Sequence, residues 1–219
     1  MTNVVKVSLI LTGIFITLVV RAEPSETHFQ LNYKYLEIPL LYKNQDAADL
    51  QLKKTGLAYG ERFAKNWYSE IQAGYSKSSL TLPDQVVSDA KGKYADLSFQ
   101  YALYQTKYTF VALGINYVYN QFDQNNKNYR LNWSETGGQF AIAQRIFSPV
   151  TLTAGLSYIN IDGTQKYANQ GNRRKFNQDG DLRYEAGIHF SNYEDGEIIF
   201  RYFTDGQDGF EVALKKVYR

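Results

Sequence analysis

The sequence predicts an all-β fold, a transmembrane antiparallel up-and-down β-barrel of ten strands, with eight strands as the alternative count. Three observations lead there. Apolar residues fall on alternate positions through most of the chain, as in Tyr94 to Tyr104, where Ala95, Leu97, Phe99, Tyr101 and Leu103 alternate with Asp96, Ser98, Gln100 and Ala102. The alternating runs are about ten residues long, which suits a tilted strand crossing a bilayer. The composition is polar on average, with a negative mean hydropathy, yet it carries 19 Tyr, 13 Phe and 16 Gly but only four Pro. A chain that is polar overall and oily on every second residue suits a wall greasy outside and polar inside.

The first strand is expected from His28 to Tyr35, with Phe29, Leu31, Tyr33 and Tyr35 on the apolar face. Leu36 breaks this parity and Pro39 has no ladder donor, so a bulge or an exit from the sheet is expected there. A loop from Lys43 to Asp49 leads to strand two, Leu50 to Phe63, whose Gly56, Ala58 and Gly60 suit a crowded interior. Strand three runs from Trp67 to Lys77, and Ser78 to Lys93 is a longer loop. Strands four and five form a hairpin, with Val111, Leu113, Ile115, Tyr117 and Tyr119 on the oily face of the second. After a polar loop from Gln121 to Asn128, strand six spans Leu131 to Phe147, and a parity change at Gly137-Gly138 predicts a bulge. Ser148-Pro149 turns the chain into strand seven, and Asp162 to Asp181 is the longest expected loop. Strand eight points Leu182, Tyr184, Ala186, Ile188 and Phe190 outward, strand nine covers Glu197 to Phe203, and strand ten carries Phe210, Val212 and Leu214.

Short breaks after strands two, four, six and eight and longer ones after one, three, five and seven, with a short break after strand nine as the exception, predict tight periplasmic turns and external loops, with both chain ends in the periplasm. The compartment follows from residues 1–22, where Lys6 precedes an apolar run from Val7 to Val20 and Val20-Arg21-Ala22 is a small-residue cleavage site. Residues 1–22 are thus expected to be a secretory signal peptide, and 23–219 a single barrel domain. The chain has no Cys, which excludes disulfide and thiol chemistry. Lys6 and Arg21 leave with the signal, so 22 acidic side chains meet as many basic ones, and no nucleic-acid partner is expected.

Gly56-Leu57-Ala58-Tyr59-Gly60-Glu61-Arg62-Phe63-Ala64-Lys65-Asn66-Trp67-Tyr68, followed by Ile71-Gln72-Ala73-Gly74-Tyr75, resembles the strand, turn, strand signature of small outer-membrane β-barrel proteins of Gram-negative bacteria, of the OmpA and OmpX kind. Ile142 to Tyr158 resembles it again, and Asp208 to Leu214 looks like the closing strand of ten-stranded members. The resemblance implies residence in the outer membrane, contact with its lipid and lipopolysaccharide, delivery by the outer-membrane assembly machinery, and an extracellular surface partner for the loops.

Parity places Glu70, Asp96, Arg183, Glu185, His189, Arg201, Glu211 and Lys215 in the lumen, both signs in a narrow space. Mixed charges in a small barrel neutralise one another as a polar plug, which predicts a non-enzymatic structural or surface-interaction protein. A narrow porin-like channel tuned by the same charges is the alternative. A third reading comes from His189-Phe190-Ser191-Asn192, which resembles the His-x-Ser-Asn string of lipid A deacylases. There a base-activated serine attacks an ester, but the position where that family keeps its acid holds Phe203. Arg173, Arg174 and Lys175 form a basic triplet in the expected long loop, suited to phosphates or an anionic partner. His28 stands without metal-ligand spacing, so no metal or cofactor is expected. Trp67, Tyr68, Tyr104, Tyr108, Tyr117, Tyr119, Phe122 and Phe147, near strand ends, are expected in interfacial girdles.

Overall fold

The computed structural model describes residues 26–42, 47–82, 85–124, 129–167, 173–192 and 195–218; the expected signal peptide lies outside them. Ten strands form one closed antiparallel barrel: β1 (Thr27–Tyr42), β2 (Ala47–Ala64), β3 (Trp67–Leu82), β4 (Gln85–Gln105), β5 (Thr109–Gln124), β6 (Tyr129–Phe147), β7 (Val150–Tyr167), β8 (Arg173–Ser191), β9 (Gly196–Thr204) and β10 (Asp208–Tyr218). Each strand pairs with its sequence neighbours, and β1 closes on β10 from Thr27↔Tyr218 to Glu37↔Asp208. Ten strands, not eight, therefore make the wall.

The outward face carries an apolar band. On β3 it holds Trp67, Ile71 and Tyr75, with Tyr75 72% exposed; on β5 it holds Leu113, Ile115, Tyr117 and Tyr119. From Trp67 to Tyr75 the strand rises about 26 Å at ~3.3 Å per residue, and a tilt of roughly 40° leaves about 20 Å of height, near the thickness of an outer-membrane apolar belt. Trp67, Tyr104, Tyr108 and Phe147 are exposed near the rim of tight turns, and Tyr117 and Tyr119 are exposed near the opposite edge, as girdles require. Two residues depart from the expected girdle: Tyr68 is half-buried, on the inward parity of Glu70 and packed edge-on against Phe110, and Phe122 is the stronger exception, fully buried and stacked on Trp133 inside the barrel with ring centroids 5.1 Å apart.

That exception has a general cause. Above the belt the wall continues with its amphipathicity inverted. On β1 the inward residues run Gln30, Asn32, Lys34 and then Leu36, Ile38, Leu40, while the outward ones run Phe29, Leu31, Tyr33 and then Glu37. On β2, inward Lys54 gives way to Leu52 and Leu50, and outward Leu57 to Lys53 and Gln51. Side chains of a strand point alternately to the two faces whatever the medium. Only the medium changes: within the bilayer oil lies outside, above it water does. Leu36, Ile38, Leu40, Leu50, Leu52, Leu80, Phe122, Leu131, Trp133, Ile159, Ile161 and Phe176 fill the outer half of the interior as a core like that of a soluble barrel.

This inversion corrects several expectations. Leu36 breaks no register: β1 and β2 pair without a shift from Thr27↔Glu61 to Leu41↔Ala47. Gly137 and Gly138 likewise form no bulge, since β6 stays in register with β5 through both; the observed shifts lie at Ser78/Leu80, at Ile159/Ile161 and at turns such as Ala102/Tyr104. Of the expected loops, Ser78–Lys93 and Asp162–Asp181 are largely strand, and the described parts of Lys43–Asp49 and Gln121–Asn128 are strand too, because β2 begins at Ala47, β3 reaches Leu82, β4 begins at Gln85, β5 reaches Gln124, and β7 and β8 extend to Tyr167 and from Arg173. The two rims therefore differ in how far the wall rises beyond the belt, rather than in the long loops the sequence suggested.

β9 and β10 are the short strands, with 9 and 11 residues. Above their turn β1 pairs directly with β8, Leu41↔Asn177 and Tyr42↔Phe176. Pro39 lies between the last β10 pair and the first β8 pair, where β1 lacks a strand partner on that side and a missing donor is tolerated.

Candidate lumen site

At the level of the belt the interior is polar, and cross-strand register dictates which groups meet. Near the tight-turn rim, His28 on β1 lies across from Gly60, whose missing side chain leaves space that the imidazole fills: a Cβ there would stand 2.1 Å from the His28 ring. The ring reaches past β2 to β3, placing His28 Nε2 2.8 Å from Glu70 Oε2. Lys215 and Glu197, paired across β10 and β9, hold their charged ends 3.6 Å apart. One layer up, Arg201 Nη1 lies 3.5 Å from Glu211 Oε2, and Gln30 donates to the other oxygen of Glu211 at 3.5 Å. Gln72 donates to Asn32 Oδ1 at 2.8 Å and to the Tyr94 hydroxyl.

The top polar layer sits directly beneath the apolar core. Glu135 Oε1 accepts from Trp133 Nε1 at 2.9 Å and Asn120 Nδ2 at 3.0 Å, and lies 3.6 Å from Lys54 Nζ. The side chains of this pair are only 5% and 6% exposed. A buried carboxylate needs such added donors, because the attraction of one cation rarely offsets its lost hydration. Lys34 Nζ and the Arg183 guanidinium both stand over the Phe203 ring, at 4.6 and 4.8 Å from its centroid. Arg183 also donates to Gln207 Oε1 at 3.1 Å, drawing the β9–β10 turn inward.

Every lumen residue expected from parity points inward: Glu70, Asp96, Arg183, Glu185, His189, Arg201, Glu211 and Lys215. Register joins Arg201 with Glu211 and Lys215 with Glu197. It also gives Glu70 a partner in His28, the histidine without metal-ligand spacing. Parity kept from end to end would also have found Lys34, Lys54, Glu135 and Glu197; Lys54 and Glu135 were hidden because each lies where inward residues change from apolar to polar. His189 and Ser191 share the inward face of β8, but among the described residues His189 Nε2 has no hydrogen-bond partner, Ser191 included. Arg173 and Arg174 pair in the wall with Lys166 and Gln165, and Lys175 beside them is exposed, so the triplet occupies the outer end of a strand and not a loop.

No family model matches the chain, and no curated protein matches it in sequence. Solved structures share its architecture. The transport unit of the autotransporter AIDA-I from Escherichia coli superposes with a TM-score of 0.50 at 10% identity over 90% of each chain. The translocator domain of the autotransporter NalP from Neisseria meningitidis gives 0.48 at 10% identity over 99% of this chain and 96% of its own. The outer membrane protein OprG from Pseudomonas aeruginosa gives 0.42 at 14% identity over 85% and 95%. At such identities the likeness is one of fold. The closed wall, the apolar belt and the two aromatic edges, with the fold shared with the AIDA-I transport unit, make the chain a small β-barrel of the outer membrane.

Proposed function

For a small outer-membrane barrel of this construction, we propose a non-enzymatic structural or surface-interaction role, with the lumen plugged and the outer wall as the working surface. The observation that carries this reading is the apolar core above the belt. Trp133, Phe122, Phe176, Leu36 and Ile161 are each at most 2% exposed and stand above the polar layers, which supports a lumen closed at that height. An ion crossing them would have to shed its hydration with nothing to replace it. The polar layers below add the Lys54–Glu135 pair to the obstruction. On this reading the lumen charges fix the shape of the barrel rather than conduct, and Lys175 with Arg173 and Arg174 offers a basic rim to an anionic partner outside the cell.

The test is single-channel recording on the refolded chain from residue 23 in a planar bilayer. Silence from barrels proved folded by heat-dependent gel migration is the expected result, with current emerging on removal of the core by Phe122→Ala and Trp133→Ala together. Steady discrete steps from the unsubstituted protein, changed in size by Arg201→Ala, would replace the plug with the narrow channel. Ester hydrolysis of lipid A lost in Ser191→Ala would instead establish the deacylase-like reading.

A further inference from the structure

Four lysines gather on one side of the barrel, where the belt ends. Lys53 on β2 lies directly across from Lys77 on β3, and Lys77 directly across from Lys91 on β4. Lys93, one outward step below Lys91, lies between Tyr75 and Gln121. All four are exposed. On β3 and β4 the lysine is the first outward residue past the belt, after Tyr75 and Ala95; on β2 only Thr55 separates Lys53 from Leu57, which is 67% exposed.

Like charges placed directly opposite on neighbouring strands destabilise a sheet, and among the described residues the nearby carboxylates form no ion pair with this row. Glu37 is engaged by Tyr35 and Gln51. Asp123, across from Lys91, takes hydrogen bonds from Arg130 at 2.7 Å and Gln121 at 3.2 Å. Asp49 stands two outward positions above Lys53, across from Thr81. Among the described residues no ion pair includes any of the four lysines. The opposite wall differs at that height: the first two outward positions above the belt on β6 and β7 are Thr136, Ser134, Asn160 and Asp162, neutral or acidic, and basic side chains, Arg130 and Lys166, come only further up. At the belt's edge, where lipid headgroups meet the wall, the charge is therefore one-sided.

We propose that Lys53, Lys77 and Lys93, with Lys91 above them, bind the phosphates of an outer-leaflet glycolipid, lipopolysaccharide, whose acyl chains lie along Leu57, Ala73 and Tyr75. Lysine stems lie along apolar surface while their ammonium groups reach the headgroup layer. A multiply phosphorylated headgroup supplies the countercharge that the protein withholds, and each basic group near an anionic lipid surface strengthens binding.

The experiment titrates refolded protein in neutral detergent with purified lipopolysaccharide, following bound lipid by native mass spectrometry and the unfolding midpoint by heat-dependent gel migration. The expected result is that Lys53→Gln, Lys77→Gln and Lys93→Gln combined bind roughly tenfold or more weakly, while Lys65→Gln with Lys107→Gln at the opposite rim bind as wild type. Without lipid the triple variant melts above wild type, since it removes the repulsion; with lipid that order reverses. Equal binding by both variants, or by wild type to the same lipid stripped of phosphate, overturns the proposal. The stripped-lipid arm needs no substitution and so survives a variant that fails to refold. If millimolar inorganic phosphate alone reproduces the stabilisation, the row is a general anion site and the lipid assignment fails. None of these outcomes depends on whether the lumen conducts.

Discussion

Gly74 shows how tightly a single position is specified in this wall. A Cβ added to it would stand 2.1 Å from the Thr55 carbonyl oxygen and 2.6 Å from the Gly56 Cα, both backbone atoms that cannot rotate away. Gly74→Ala is expected to destabilise the barrel by about 1–3 kcal/mol, measured as a lower denaturant midpoint in detergent. Glu135 illustrates the other residue-scale constraint, charge without water. Glu135→Gln leaves Lys54 buried and unneutralised, at a cost of about 3–5 kcal/mol. Lys54→Met with Glu135→Leu removes both charges and should recover most of that loss in the same assay; a double variant as unstable as the single one would show that shape, not charge, is at stake. The sequence made Glu70, Asp96 and Arg201 legible because alternation around them is regular on both sides. Lys54 and Glu135 were not legible, because each lies at the change of medium, where the hydrophobic pattern inverts and mimics a slip in register.

At the scale of the strand, the same inversion explains what could be read and what could not. Strand number, order and the tight turns followed from local pattern, since alternation and turn chemistry act over a few residues. Strand length did not follow, because polar outward residues above the belt, such as Ser79, Lys91 and Asp162, have loop composition and differ from loops only in being paired. Each long strand thus serves two environments, and damage to one should spare the other. Leu52, wholly buried, is expected to cost about 2–5 kcal/mol when replaced by Ala. With Leu50→Ala added, the outer storey should become cleavable by protease applied outside reconstituted vesicles, while a belt fragment stays embedded. Cleavage that releases the whole chain from the membrane would show that the two halves unfold as one.

For the whole molecule, height decides orientation. The tall, water-adapted end stands outside the cell if the tight turns at Lys65-Asn66 and Ser148-Pro149 face the periplasm. The chain has no native Cys, so single thiols report this cleanly. Ser134→Cys should react with a membrane-impermeant maleimide on intact cells, and Tyr104→Cys only after the outer membrane is breached; the reverse pattern would turn the barrel over. The short β9–β10 hairpin adds a property that no single strand has. Because β1 meets β10 within the belt and β8 above it, the cylinder has ten staves below and eight at its outer end. A barrel parts most readily where its first and last strands meet, yet here unfastening that lower seam leaves β1 clasped to β8 above. The two clasps have different partners, so the outer ring can stay shut while the terminal hairpin swings free.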